Sequence, residues 1–471
     1  MRLPRSIAVL AVSAFLAAMA PAVRGEDWPT YRHDNRRSGV TSERLELPLA
    51  PTWEYVSRDY PKTAWTGPAK WDSYANIRKL KSMRNFDPAF YVTVVAERVF
   101  FGSSADDAVH CLDARTGQET WTFFTEGPVR LPPSVHDGKL YFGSDDGCVY
   151  CIAADSGDII WRYQASSEDR KVPLNGKLTS LSPCRTGVLV QDSKAYFATS
   201  LLPWEKTFLC ALDADSGAAV YRKPYDRLTA QGPMLASPTK LYISQGRQRP
   251  TVFERESGRL LQSLGSSGFG GVFGLLTEDS LFVHGFGQNH RAEGELRFFG
   301  SETRDLLVTL PRATSIVIHN GIIYVHADGE LQAFDRNTYV GLQDQIRALQ
   351  LQTKDLQAQK KKLGADASDS DRRRFDTQIA SAQEQITTIQ AQLSSAFLWR
   401  EPTDCPLTLI LAGETLFAGG EGKVAAYEID SGRQAWSAPV AGRAYGLAVA
   451  NGSLLVSTDR GRIVCFRSTG K

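Results

Sequence analysis

The sequence predicts an all-β fold, an eight-bladed β-propeller closed by strands from its N- and C-terminal parts and interrupted by an inserted antiparallel helical hairpin. Three observations predict it. First, a motif recurs: Cys111-Leu112-Asp113-Ala114-Arg115-Thr116-Gly117 with Trp121 after it, then Cys151-Ile152-Ala153-Ala154-Asp155-Ser156-Gly157 with Trp161, 40 residues on. A period of that size, built of short strands, is a propeller signature. Second, the copy Cys465-Phe466-Arg467-Ser468-Thr469-Gly470 lacks its Trp strand, whereas Pro51-Thr52-Trp53-Glu54-Tyr55 is a Trp strand with no copy before it. Pairing the two leaves no sheet edge open. Third, between Thr338 and Trp399 the strand pattern gives way to apolar residues at steps of 4 and 3, a helical period.

The elements follow in chain order. Arg2 and Arg5 precede an apolar run of 14 residues, Ile7 to Ala20, with small residues up to Gly25. This reads as a signal peptide over 1–25, cut near Gly25, because a membrane span needs about 20 apolar residues. No Cys lies there to carry a lipid anchor, so the mature chain is expected in the periplasm or outside the cell, without a membrane span. The propeller then occupies 26–339. Further copies are Ala211 to Gly217 with Tyr221 and Ala426 to Gly432 with Trp436, and weaker ones start at Phe253, Phe298 and Ala333. Pairs such as Asp137-Gly138, Asn320-Gly321 and Asn451-Gly452 supply the positive φ of tight hairpins. The repeat Asp and Trp read as structural, since a catalytic residue has no reason to recur in every blade.

The insertion is assigned to 340–397 and the remaining propeller to 398–471. Leu342, Ile346, Leu349, Thr353, Leu356, Lys360 and Leu363 form one heptad seam; Phe375, Ile379, Ala382, Ile386, Ile389 and Leu393 form another. The short break Gly364 to Asp371 folds the two into a coiled-coil hairpin projecting from the rim, either a stabilising decoration or a docking arm for a protein.

Lys plus Arg number 54 against 52 Asp plus Glu, which gives no reason to expect a nucleic-acid partner. Of seven cysteines, Cys111, Cys151 and Cys465 fill a repeat position that elsewhere holds Ala, so a small buried residue is what that position needs. Cys148 and Cys151 lie three apart on a strand and face opposite ways, so no metal site follows. The disulfide state of Cys148, Cys184, Cys210 and Cys405 stays open. In the central channel, stretches around Arg130, Arg312 and Arg443 are assigned to innermost strands, each Arg about eight residues before its hairpin turn. Together they are candidates to hold an anion such as a carboxylate or a phosphate; the alternative is pairing with Asp or Glu of neighbouring blades.

These repeats resemble the pyrroloquinoline-quinone (PQQ) repeat of quinoprotein alcohol dehydrogenase-like propellers of the secreted bacterial type, and Asp27-Trp28-Pro29-Thr30-Tyr31-Arg32 to Gly39 resembles an N-terminal segment of such proteins. The resemblance implies the fold and two functions: PQQ-dependent dehydrogenase with calcium, or a scaffold like BamB of the barrel-assembly machinery. The chain departs from the dehydrogenases in having no adjacent Cys-Cys pair and no C-x-x-C-H, since Ile152 follows Cys151, and no residue matches their calcium cluster. The sequence therefore reads as a non-catalytic scaffold that binds another envelope or secreted protein, with no cofactor and no assignable catalytic residue. A quinoprotein oxidoreductase binding PQQ in the channel is the alternative.

Overall fold

A computed structural model describes residues 25–65, 86–246, 248–265, 270–279, 281–286, 295–300, 306–363 and 368–470. Residues 1–24 of the expected signal peptide, the end of the copy starting at Phe298 and residues 364–367 of the break lie outside them. Strands dominate. Among the described residues six sheets are four-stranded, spanning 92–124, 134–164, 189–225, 235–263, 271–311 and 313–402, the last with the helices inserted. An eight-stranded sheet comprises two four-stranded halves that share the long strand Gln434–Ala450, with Val40–Thr41 as the eighth strand at one edge.

Successive sheets share their cores. Phe100 and Val109 pack with Leu140 and Phe142 of the next sheet, and Tyr141 and Cys151 with Phe197 and Cys210 of the one after. The largest core joins the two ends of the order, combining Val99, Phe101 and Leu112 of the first sheet with Leu455, Val456 and Trp53 of the last. The strand Leu49–Val56 pairs antiparallel with Arg462–Ser468, Trp53 opposite Cys465. The two incomplete repeat pieces thus make one sheet.

The motif residues have structural work. Asp113 Oδ1 accepts from the Thr116 N–H and hydroxyl, both at 2.8 Å, closing the turn. Gly117 follows at φ 73°, and a Cβ there would lie 2.6 Å from the Trp53 ring. The same fit recurs between Gly217 and Trp161 and between Gly432 and Trp399, so these outer-strand rings rest on the glycine turn of the next sheet. Trp53, Trp161 and Trp399 also donate through Nε1 to backbone carbonyls of that turn at 2.9 Å. Cys111, Cys151, Ala211, Ala333, Ala426 and Cys465 are each the ladder partner of an outer Trp or Tyr.

Residues 26–43 run across one end of the sheets and touch all of them. Trp28 exchanges backbone hydrogen bonds with Val94, Pro29 O accepts from Val135, and Asn35 O and Arg36 O accept from Ala236 and Leu276. Asn35 Nδ2 donates to Val190 O at 2.8 Å, and Arg32 reaches Ile316 O and Leu409 O at 3.0 and 3.2 Å. Val40–Thr41 pairs with Leu411 and Ala412, and Glu43 accepts from Asn451 N at 2.9 Å. One short segment meets the leading strands of these seven sheets, so those strands converge around it. Arg32, His33 and Arg37 take positive φ there (53°, 77° and 59°), Arg32 and Arg37 held by such long-range contacts.

The helices are α1, Arg336–Lys362, and α2, Asp369–Gln392. Every residue of the two heptad seams is buried or half-buried, while most others on these helices are exposed. α1 begins four residues before the assigned position 340, for a local reason. Asp335 accepts from Thr338 N at 2.7 Å, the same contact that closes the other repeat turns. Here Tyr339 replaces the glycine that would stop the turn, and the capped turn continues as a helix.

His110 sits where the first sheet meets the strand Leu49–Val56, stacked on Phe101 at 4.7 Å and beside Tyr55. Its Nδ1 lies 2.7 Å from Glu119 and its Nε2 3.1 Å from Asp106. Burial alone would lower its pKa, but the two carboxylates outweigh burial and hold it above the ordinary value. A raised folded pKa gives stability that is complete below about pH 6.5 and is lost as pH rises through the folded value. Wild type is expected to lose stability relative to His110→Gln on going from pH 6 to pH 9, read as converging urea midpoints. Parallel midpoints across that range would contradict the assignment.

Candidate functional site

Two of the three candidate arginines lie in the connections that enter leading strands. Arg130 lies in such a connection and not on the innermost strand itself. Pro128, Pro132 and Pro133 around it cannot donate to a ladder, and the strand starts only at Ser134. Arg312 likewise precedes its strand, Ala313–His319, at φ 52°. Arg443 is on a strand, within Gln434–Ala450.

Each of the three arginines has its own carboxylate. Arg130 is 5% exposed and donates through Nε to Asp145 Oδ2 at 2.7 Å and through Nη1 to Asp87 Oδ2 at 2.6 Å. Arg312 is exposed and ion-paired with Asp328. Arg443 is exposed, 3.5 Å from Glu421.

The residue that completes the Arg130 cluster is Arg185, which donates through Nε and Nη2 to both oxygens of Asp145 at 2.9 and 2.7 Å. Both side chains are fully buried. Burial would raise the Asp145 pKa, but Arg130 and Arg185 outweigh it and hold the carboxyl below its usual range. At Asp87 burial wins over Arg130 and the pKa is raised. Arg185 Nη1 is buried with no acceptor, and its guanidinium lies 5.2 Å from the Trp65 ring centre. Trp65 Nε1 in turn donates to Gln231 Oε1 at 3.1 Å.

A cover accounts for this burial. Ala64, Trp65, Phe86, Leu131 and Leu201 form an apolar cluster over the ion pairs, with Val172 and Leu174 of a two-stranded hairpin, Lys171–Leu174 and Lys177–Ser180, packed against it. Ion pairs Lys171–Glu126 and Lys177–Asp107, both at 2.8 Å, and the bond from Asn175 Nδ2 to Thr63 O at 2.5 Å pin the hairpin.

Arg185 escaped sequence reasoning although it stands as far before its hairpin turn as Arg130 does. The turn there is Asp192-Ser193, not Asp-Gly, with φ 51° and 55°. All seven cysteines are free and buried, and burial pushes the Cys151 thiol up to about 11 and Cys184 up to about 12, which removes thiolate reactivity. Among the described residues no group of three His, Cys, Asp or Glu is placed to hold a metal ion, and no helix is long and apolar enough to cross a membrane.

Comparison with known proteins gives a consistent fold and two kinds of relative. The family model described as "Outer membrane protein assembly factor BamB" matches residues 63–339 and 251–471. The quinoprotein ethanol dehydrogenase of Pseudomonas putida is 22% identical over 216 residues, 38% of this chain and 34% of that protein. The 1-butanol dehydrogenase (cytochrome c) of Thauera butanivorans is 30% identical over 89 residues, 17% of this chain and 13% of that one. This chain thus spans about a third or less of those relatives. Among solved structures, BamB from Moraxella catarrhalis superposes with TM-score 0.52 at 12% identity, covering 89% of this chain and 100% of that one. Quinohemoprotein alcohol dehydrogenase from Comamonas testosteroni gives TM-score 0.60 at 12% identity, covering 94% of this chain and 81% of that one. With the repeat turns and the shared inter-sheet cores, the family match places this chain in the BamB-like PQQ-repeat propeller family.

Proposed function

We propose that this chain is a secreted or periplasmic non-catalytic scaffold, a closed ring of eight blades that presents its helical hairpin to another envelope or secreted protein. The observation that carries this reading is the arm. α1 has 27 residues, roughly 40 Å at 1.5 Å per residue, and its seam is met within the hairpin. The outer faces, with Leu351 62% exposed, are not needed for the protein's own fold. The arm enters between adjacent strands whose residues Phe334 and Phe397 are ladder partners, so its two ends are already together.

Replacing residues 340–395 by a short Gly-Ser linker is expected to leave the sheets folded, remove most of the helical circular dichroism, and abolish a cross-link to a partner in the native envelope. Retention of the same cross-links would end the docking-arm reading. Unfolding of the sheets would show that the helices belong to the core.

A second reading, a PQQ-dependent oxidoreductase, is favoured by one observation, the buried Arg185 Nη1 without an acceptor beside the Trp65 ring. Those two groups suit a planar carboxylate, and a bound quinone would supply two-electron redox chemistry. The calcium that accompanies it fits less well: Asp87 and Asp145 are both held by guanidinium groups, and no cluster of further ligands accompanies them among the described residues.

A further inference from the structure

The first residues of the folded part are arranged around one carboxylate. The Glu26 backbone N–H donates to Glu43 Oε2 at 2.8 Å. The same carboxylate accepts from Asn451 N at 2.9 Å and from Gly452 N, the turn that joins the strand Gln434–Ala450 to Ser453–Thr458. Glu26 is fixed independently: its own carboxylate takes the Thr41 hydroxyl at 2.5 Å and Ser42 N and Oγ at 2.8 Å, with His33 Nε2 at 3.3 Å. The residue before it is crowded. A Cβ on Gly25 would lie 2.5 Å from Asn451 Cα and 2.9 Å from its N, so the chain entering Glu26 presses on the turn that Glu43 holds. Gly25 and Val23 are also a small and a compact residue at the positions −1 and −3 to a cut before Glu26.

We propose that the Gly25–Glu26 bond is the processing site and that its cleavage locks the last sheet. A leader peptidase adds water across this bond, leaving a carboxylate on the departing Gly25 and an α-ammonium on Glu26. That ammonium ion-pairs with Glu43 and, through it, fastens the Asn451-Gly452 turn. A charged donor replaces a neutral one at an unchanged nitrogen position, and charge-assisted bonds are about twice as strong as neutral ones. The groups facing the new charge are Glu43, the Glu26 side chain, His33 and Asp27, whose carboxylate lies 3.4 Å from Asn451 Nδ2. Three of the four are acids.

The inference rests on the secretion reading, and the experiment separates the two. Intact mass of the protein exported with its own leader is expected to show a chain beginning at Glu26. A start at another residue overturns the locking proposal and leaves secretion standing; a retained leader overturns both. The chain beginning at Glu26 is then compared with the same chain N-acetylated, as wild type and as Glu43→Gln. The free amine is expected to raise Tm by about 2–4 °C at pH 7. That difference should shrink as pH rises past the amine's ordinary pKa of about 8, and vanish in Glu43→Gln. Equal melting of the free and acetylated wild-type chains, or a difference that survives Glu43→Gln, would overturn the lock.

Discussion

Deleting residues 26–56 is expected to yield aggregated protein without a cooperative melting transition. The deletion removes the strand that pairs with Arg462–Ser468 and leaves that strand as an unpaired edge, a template for pairing with another chain. It also removes Trp53, whose ring covers Gly117 and whose Nε1 donates to Ala114 O. Truncating a buried Trp costs about 3–5 kcal/mol by itself. The contacts of residues 26–43 to the leading strands of the sheets go as well. The summed loss is of the order of the whole stability of a typical domain, about 5–15 kcal/mol. Light scattering during size-exclusion chromatography, with a thermal scan, measures it. A monomer with an unchanged Tm would mean that neither the strand nor the crossing segment holds the sheets together.

The second large effect is expected at Asp145. Asp145→Ala leaves Arg130 and Arg185 buried together without the carboxylate that both use. Breaking a buried ion pair by removing one partner costs about 3–5 kcal/mol, because a charge is left uncompensated. Here Arg185 loses its carboxylate partner and Arg130 one of two, so the upper part of that range is expected, read as a fall in the urea midpoint. Arg312→Ala is the control: its pair with Asp328 is exposed, and such pairs contribute about 0–1 kcal/mol. If Asp145→Ala melts like the control, the cluster is not the fixed, dry element described above.

What was legible in the sequence is what repeats. The Asp turn, its glycine and the following Trp recur because each sheet needs the same contact with its neighbour, so one local solution is written many times. The heptad seams were legible for the same reason: Ile346, Thr353 and Ala382 fall on the helix faces that the 4 and 3 steps mark. The buried ion-pair cluster was not. Asp87 and Arg185 sit in connections between sheets and Asp145 in the turn between Lys139–Gly143 and Cys148–Ala153, and nothing local says that chain positions so far apart share one ion-pair cluster. The start of α1 was obscured because Asp335-Arg336-Asn337-Thr338 is a genuine repeat turn, and only the absent glycine at 339 turns it into a helix cap.

The central claim, a scaffold and not a quinoprotein, is tested most directly by titrating the purified protein with PQQ and calcium together in a calorimeter while following reduction of an electron-accepting dye with alcohols. The account predicts no saturable binding and no dye reduction, with the Arg130–Asp145–Arg185 pairs staying closed under the cover of Trp65 and the 171–180 hairpin. Saturable binding of PQQ with calcium-dependent dye reduction, abolished by Arg185→Met, would contradict it and establish the enzyme reading.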